Sequence, residues 1–244
     1  MHLSGRVVLV TGGAKRLGRA IALAAAHRGA HVAFSYRTSS REAGETAAAI
    51  ERAGVGTLAV KADVSRAADV RRLMERIDRR FHRLDVLINS ASNFLRAPFT
   101  QLSEAAWDQT MNTNLRGPFL CALYASRLMR KRSGGKIINF ADWAAVRPYR
   151  DYLPYCVSKA GIIGLTKTLA KELAPSIQVV AIAPGPILPP PDMSQAARAR
   201  VAARVPLKRW GGPQDIVNTV LFLIEGTDFM TGSTIFVDGG QLIA

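Results

Sequence analysis

Short apolar runs rich in β-branched residues alternate along this chain with stretches of helical spacing, and that alternation leaves few ways to fold. The runs are VVLV at 7–10, HVAFSY at 31–36, TLAVKA at 57–62, VLIN at 86–89, KIINF at 136–140, IQVVAIA at 177–183 and STIFVD at 233–238. Between the first of them lie RLGRAIALAAAHRG, an Ala-rich stretch over roughly 40–53, and SRAADVRRLMERIDRRF. In the last of these, Val70, Leu73, Met74 and Ile77 share one helical face. Strands separated by helices predict a mainly parallel sheet covered on both sides. Right-handed crossovers then favour an α/β fold, a doubly wound Rossmann-like sheet with its ligand crevice at the carboxyl ends of the strands. Thr11, Asp63, Asn89, Asp142 and Pro184 all fall where strands are expected to end.

The chain has 244 residues with no composition shift or Ser/Gly linker, so a single domain over 1–244 is expected. PGPILPPPDMSQAARARVAAR interrupts the tight connections, and its prolines predict a substrate-covering excursion at about 185–210 with a helical second half. No apolar run approaches the ~20 residues that cross a bilayer, and MHLSGRVVLVTGG lacks the segments of a secretory signal. Cys121 and Cys156 form no metal or redox spacing, and the four histidines are scattered. These features point to a cytoplasmic protein with no membrane partner and no metal. The formal charge of +15 gathers in RRLMERIDRRFHR, RLMRKR and ARARVAAR. These runs have little aromatic interleaving and match no nucleic-acid module, so they are read as solvated helix faces whose field attracts anionic cofactors.

TGGAKRLG, from Thr11 to Gly18, follows the first strand and opens a helix. Glycines let backbone amides approach a phosphate, and the helix N-terminus adds partial positive charge. A dinucleotide is the expected ligand. NAD sites carry an acidic residue at the end of the second strand. Here that strand ends SYRTSS: Arg37 with Thr38, Ser39 and Ser40 replaces the carboxylate, and Lys15 and Arg16 stand in the glycine turn. Cations and hydroxyls welcome a 2′-phosphate, so NADPH/NADP+ is the expected cofactor. Asp63, ending the third strand, is placed either to hydrogen-bond the adenine or to form a turn.

Tyr155 and Lys159 stand four apart on a helical stretch, which puts a phenol and an ammonium on one face. With the glycine turn, INSAS at 88–92, NTNLRG at 112–117, PG at 184–185 and VDGG at 237–240, they resemble the classical short-chain dehydrogenase/reductase family over almost the whole chain. That resemblance implies Tyr155 as proton donor, Lys159 as the residue that binds the nicotinamide ribose and lowers the tyrosine pKa, and Asn114 as part of a proton-relay water site. It implies cofactor contacts from Gly12, Lys15, Arg16, Leu17 and Gly18 in the turn. Further contacts are implied from Tyr36, Arg37, Thr38, Ser39, Asp63, Val64, Asn89, Ala91, Tyr155, Lys159, Pro184 and Gly185. It also implies a homotetramer built through long helices, with WDQTMNTNLRGPFLCALYASRLMRKR as an interface helix or, equally, a cover for the sheet.

Four departures from the family pattern resemble its pteridine reductase branch. Arg16 replaces a glycine, Ser92 ends the fourth-strand motif, Phe94 follows two positions later, and Asp142 replaces the usual catalytic serine. Ser90 replaces the usual asparagine. The resemblance implies a small-molecule substrate, a pterin or related compound such as dihydrofolate, reduced at a C=N bond; a ketone or 3-oxoacyl thioester is the alternative within the same fold. Arg16, Ser92, Phe94, Asp142 and Tyr155 are then the substrate contacts. Phe94 is expected to stack on the flat ring. Asp142 and Tyr155 are expected to form a coupled donor pair, because reduction of C=N requires a ring nitrogen to gain a proton. Tyr152, Leu188, Met193 and Trp210 are secondary candidates for the wall and lid of the crevice.

Overall fold

All seven apolar runs are strands of one parallel sheet. The computed structural model describes residues 1–190 and 192–244, so Pro191 of the excursion lies outside the described residues. The strands are β1 (Val7–Thr11), β2 (His31–Tyr36), β3 (Thr57–Lys61), β4 (Val86–Asn89), β5 (Gly135–Phe140), β6 (Ile177–Pro184) and β7 (Thr234–Val237), in the order β3-β2-β1-β4-β5-β6-β7. The helices are α1 (Arg16–His27), α2 (Ser40–Arg52), α3 (Ala67–Phe81), α4 (Glu104–Met111), α5 (Gly117–Arg130), α6 (Leu153–Leu173), α7 (Gln195–Arg204) and α8 (Pro213–Leu221).

Successive strand residues point to opposite faces, and each face has its own helical cover. Val8, Val10, Phe34 and Ile88 pack against Ile21 and Ala25 of α1, Ile50 of α2 and Ile216 and Val220 of α8. Val7, Leu9, Leu87 and Ile137 pack against Leu73 and Ile77 of α3, Leu120 and Met129 of α5 and Leu173 of α6. Burial on both faces explains why the strands read as continuous apolar runs instead of alternating ones. The register pairs Thr11 with Asn89 and Asn89 with Asn139, so the carboxyl ends of β1, β4 and β5 lie level. The chain leaves β1 toward β2 and β3 on one side and resumes at β4 on the other, which opens a crevice between the two directions.

The proposed long helix from Trp107 is two helices. A π-helical segment, Asn112–Arg116, joins α4 to α5. The extra residue in that turn shifts the helical phase and carries Asn114 into the interior. Below it, the buried face of α5 covers the sheet, while Phe119 is left exposed. Among the described residues, no helix is long and apolar enough to cross a membrane.

Candidate active site

The crevice is a cleft of about 1000 Å³ over the carboxyl ends of the strands. Thr11 sets its floor: the hydroxyl oxygen accepts from the backbone N–H of Ser90 and of Ala91, each at 3.0 Å. The ends of β1 and β4 are thereby held at a fixed separation beneath the glycine turn.

One end of the cleft is built for phosphate. No acidic residue stands in the first turn of α1, and its N-cap, Lys15, makes no side-chain cap. The first-turn amides therefore remain available to an anion. Gly18 is required by closeness, since a Cβ there would lie 2.3 Å from the Gly12 carbonyl oxygen. Arg16, where the family usually has glycine, adopts φ of 51°, the left-handed conformation that makes glycine usual there. Its guanidinium donates to the Leu188 carbonyl at 3.2 Å, tying the turn to the excursion. Gly12, Lys15, Arg16, Leu17, Gly18, Tyr36, Arg37, Thr38, Ser39, Asp63, Val64, Ala91, Pro184 and Gly185 all line the cleft. The donor set, with exposed Arg37 beside two hydroxyls at the end of β2, fits a dinucleotide carrying a 2′-phosphate. Asp63 forms the turn: its carboxylate accepts from the Ser65 N–H at 3.0 Å and the Ser65 hydroxyl at 2.7 Å.

The other end is built around a proton. Asp142 caps a short 3₁₀ turn (Trp143–Ala145), and its Oδ1 accepts from the Ala144 N–H at 2.8 Å. Its Oδ2 accepts from the Tyr155 hydroxyl at 2.7 Å. Burial raises the Asp142 pKa, outweighing the opposing pull of Ala144, Tyr155 and Lys159. Lys159 is buried on the same helix, α6, and donates to the Phe140 carbonyl at 2.8 Å. Desolvation pulls its pKa down to about 8. The expectation that Lys159 lowers the tyrosine pKa is corrected here. Burial, and then the adjoining Asp142 carboxyl, hold Tyr155 well above 10. The neutral phenol is therefore the resting form, the state a proton donor needs.

An aromatic wall stands over this pair. Phe94 stacks on Tyr152 with ring centroids 4.2 Å apart and planes at 13°, and meets Tyr155 edge-on at 4.6 Å. Half of Phe94 remains exposed to the cleft. Tyr149 meets Phe94 edge-on at 6.0 Å and accepts a hydrogen bond from the Trp143 indole. Ser92 lines the cleft, its hydroxyl donating to the Asn93 carbonyl at 3.2 Å. Asn114 holds this wall from behind. Its Oδ1 accepts from the Asn93 N–H at 2.9 Å, and its Nδ2 donates to the Asn93 carbonyl at 3.0 Å and to the Ser158 hydroxyl at 3.3 Å. It is buried behind the cleft and acts as a clamp on the 92–94 loop.

Asn89 is a second correction. It was expected among the cofactor contacts, but it is buried and donates to Asn139 Oδ1 at 2.8 Å, joining β4 to β5 behind the cleft wall. Tyr149, Arg150, Arg204 and Gln241 line the cleft without having been singled out in the sequence. Leu188, Met193 and Trp210 line it from the excursion, whose base is closed by the Gly211 N–H donating to the Pro186 carbonyl at 2.9 Å. Among the described residues, no group of three or more His, Cys, Asp or Glu could hold a metal.

A family model described as enoyl-(acyl carrier protein) reductase matches residues 12–241. The 3-oxoacyl-[acyl-carrier-protein] reductase of Synechocystis sp. is 37% identical, over 99% of this chain and 98% of its own. A putative short-chain alcohol dehydrogenase from Sinorhizobium meliloti superposes with a TM-score of 0.93 at 34% identity, over 99% of this chain and 98% of that one. A blue fluorescent protein from a metagenomic library, solved in complex with NADPH, gives 0.92 at 32% identity, over 99% of both chains.

Proposed function

We propose that this chain, which belongs to the classical short-chain dehydrogenase/reductase family, is an NADPH-dependent oxidoreductase that reduces a C=N bond of a dihydropterin or oxidised pterin. The observation that carries this reading is the 2.7 Å contact between Asp142 and Tyr155. NADPH, when bound, supplies hydride. Lys15 and Arg37 would meet its phosphates, and Lys159 would hold its ribose end. Tyr155 hands its phenolic proton to the substrate atom next to the carbon being reduced. In a pterin that atom is a ring nitrogen. Burial raises the Asp142 pKa and so favours the protonated carboxyl, which would restore to Tyr155 the proton it has lost across their hydrogen bond. The exposed part of Phe94 offers the flat substrate a stacking surface. The excursion at about 185–210 closes over it, through Leu188, Met193 and Trp210.

A second reading has its own support. The curated relative quoted above is a 3-oxoacyl-[acyl-carrier-protein] reductase, and on likeness of sequence alone a carbonyl or 3-oxoacyl thioester substrate is the better backed of the two. Against it stands Asp142 in place of a neutral hydroxyl, since a carboxyl hydrogen-bonded to Tyr155 suits proton traffic toward a ring nitrogen more than the holding of a carbonyl oxygen. Purified protein, NADPH, dihydrobiopterin and acetoacetyl-CoA decide between them by loss of NADPH absorbance. Turnover of the pterin without the thioester supports the first reading; the reverse result replaces it with the second. Exposed Phe119 on α5 and Leu153 and Val157 on α6 support assembly into a homotetramer, which sedimentation equilibrium would read directly.

A further inference from the structure

Two cations of the cleft have no task in the mechanism above. Lys15 and Arg37 serve the phosphate end, Arg16 is bonded to Leu188, and Lys159 is bonded to Phe140. Arg150 and Arg204 also line the cleft, and both are exposed. Among the described residues neither makes a hydrogen bond or an ion pair, whereas Arg96 is paired with Asp151 and Arg209 with Asp215. The cleft's own carboxylates are already engaged, Asp63 with Ser65 and Asp142 with Tyr155.

The two arginines come from distant parts of the chain, and the C-terminal turn brings their segments to one place. Arg147 donates to the Gln241 carbonyl at 3.4 Å and to the carbonyl oxygen of Ala244, seating the 147–150 loop on that turn. From the other side the Leu207 N–H donates to the Gly239 carbonyl at 3.2 Å, seating the segment that follows α7. Gln241 lines the cleft between these supports. Arg150 also adjoins Tyr149 in sequence and stands two residues before Tyr152, the residue that backs Phe94. Phe94, Arg150 and Arg204 thus line one cleft, with Arg150 on the segment that carries the aromatic wall and Arg204 on the excursion.

We propose that Arg150 and Arg204 bind an anionic tail on the substrate, which makes the preferred substrate a pterin carrying a glutamyl carboxylate instead of an unconjugated pterin. This rests on the pterin reading given above. A guanidinium offers paired donors that match a carboxylate and equally a phosphate. The phosphates of a thioester carrier would present the same chemistry, and the assay must separate the two sources.

The test is steady-state kinetics on three substrates: dihydrofolate, which carries the tail, dihydrobiopterin, which does not, and acetoacetyl-CoA. The quantity read is the ratio of kcat/KM for dihydrofolate to that for dihydrobiopterin. Arg150→Ala combined with Arg204→Ala lowers this ratio about tenfold, through KM and not kcat. Arg→Lys at both positions restores most of it, and raising the ionic strength lowers the wild-type ratio toward that of the alanine variant. A ratio unmoved by the double alanine variant, or restored by neither charge nor low salt, overturns the inference and leaves the pterin reading in place. Reduction of acetoacetyl-CoA with no turnover of either pterin removes the pterin reading and the glutamyl tail together.

Discussion

At the scale of single residues, the chemistry rests on a phenol and a carboxyl that share one hydrogen bond. Tyr155→Phe removes the proton and is expected to slow NADPH oxidation by about 10²- to 10⁴-fold, with binding of NADPH retained. Asp142 makes a prediction of opposite sign for activity and stability. Its native pKa is raised, so the folded state holds the proton more tightly than the unfolded chain does. The associated stability is complete below the ordinary carboxylate range and is lost as pH rises through the raised value. Asp142→Asn abolishes that titration. The urea midpoint of the variant should therefore gain on wild type as pH rises from the ordinary carboxylate range through the raised value, while pterin turnover is lost across the same range. A midpoint difference that does not change with pH would show that Asp142 is not held protonated. Arg37→Ala should raise KM for NADPH about tenfold and leave KM for NADH nearly unmoved. The residues of the site were unequally legible in the sequence. Asp142 and Tyr155 stand in a recognisable spacing, but Arg150 and Arg204 look like any solvated arginine until the fold places them beside one cleft.

At the scale of elements, the seven strands and the first three helices followed from periodicity to within about two residues, because burial on both sheet faces imposes apolar runs of strand length. The break at Asn112–Arg116 was not legible, since NTNLR has no proline or glycine to announce a change of helical phase. Asn89 was misread for a similar reason. Its partner, Asn139, lies fifty positions away and is brought level only by the register of β4 and β5. The π segment supplies Asn114, and through it the hold on Asn93. Asn114→Ala leaves the Asn93 N–H without its partner and the Asn93 carbonyl with Ser92 alone, and should cost about 1–3 kcal/mol of stability if those groups stay buried. A rise in substrate KM and faster amide exchange at residues 92–94 should accompany the loss, with exchange in β4 unchanged. Uniform faster exchange across the sheet would instead mark a general loss of packing.

At the scale of the whole molecule, the two helical covers and the central sheet form one body, and stability depends on the strands they enclose. Ile88 is fully buried at the centre of the order, in β4 between β1 and β5. Ile88→Ala should cost about 2–5 kcal/mol and lower Tm by about 2–4 °C for each kcal/mol, measured calorimetrically. Cofactor acts in the opposite direction, because the residues that would hold it stand in the glycine turn, at the end of β2, in the loop after β4 and on α6, which are together only in the folded chain. NADPH at about a hundred times its Kd should add about 2.7 kcal/mol, visible as a concentration-dependent rise in Tm. Equal protection by NADH at equal concentration would count against the 2′-phosphate assignment at Arg37.

Because Asn114 grips residue 93 by its main chain, the side chain at 94 is no part of that anchor, and Ser92 adds to it a single hydroxyl bond. Those two positions can be exchanged while the support beneath them stays intact. Retargeting such a reductase to a differently shaped ring thus calls for changes at the wall alone, and libraries confined to 92 and 94 should yield folded proteins at high frequency.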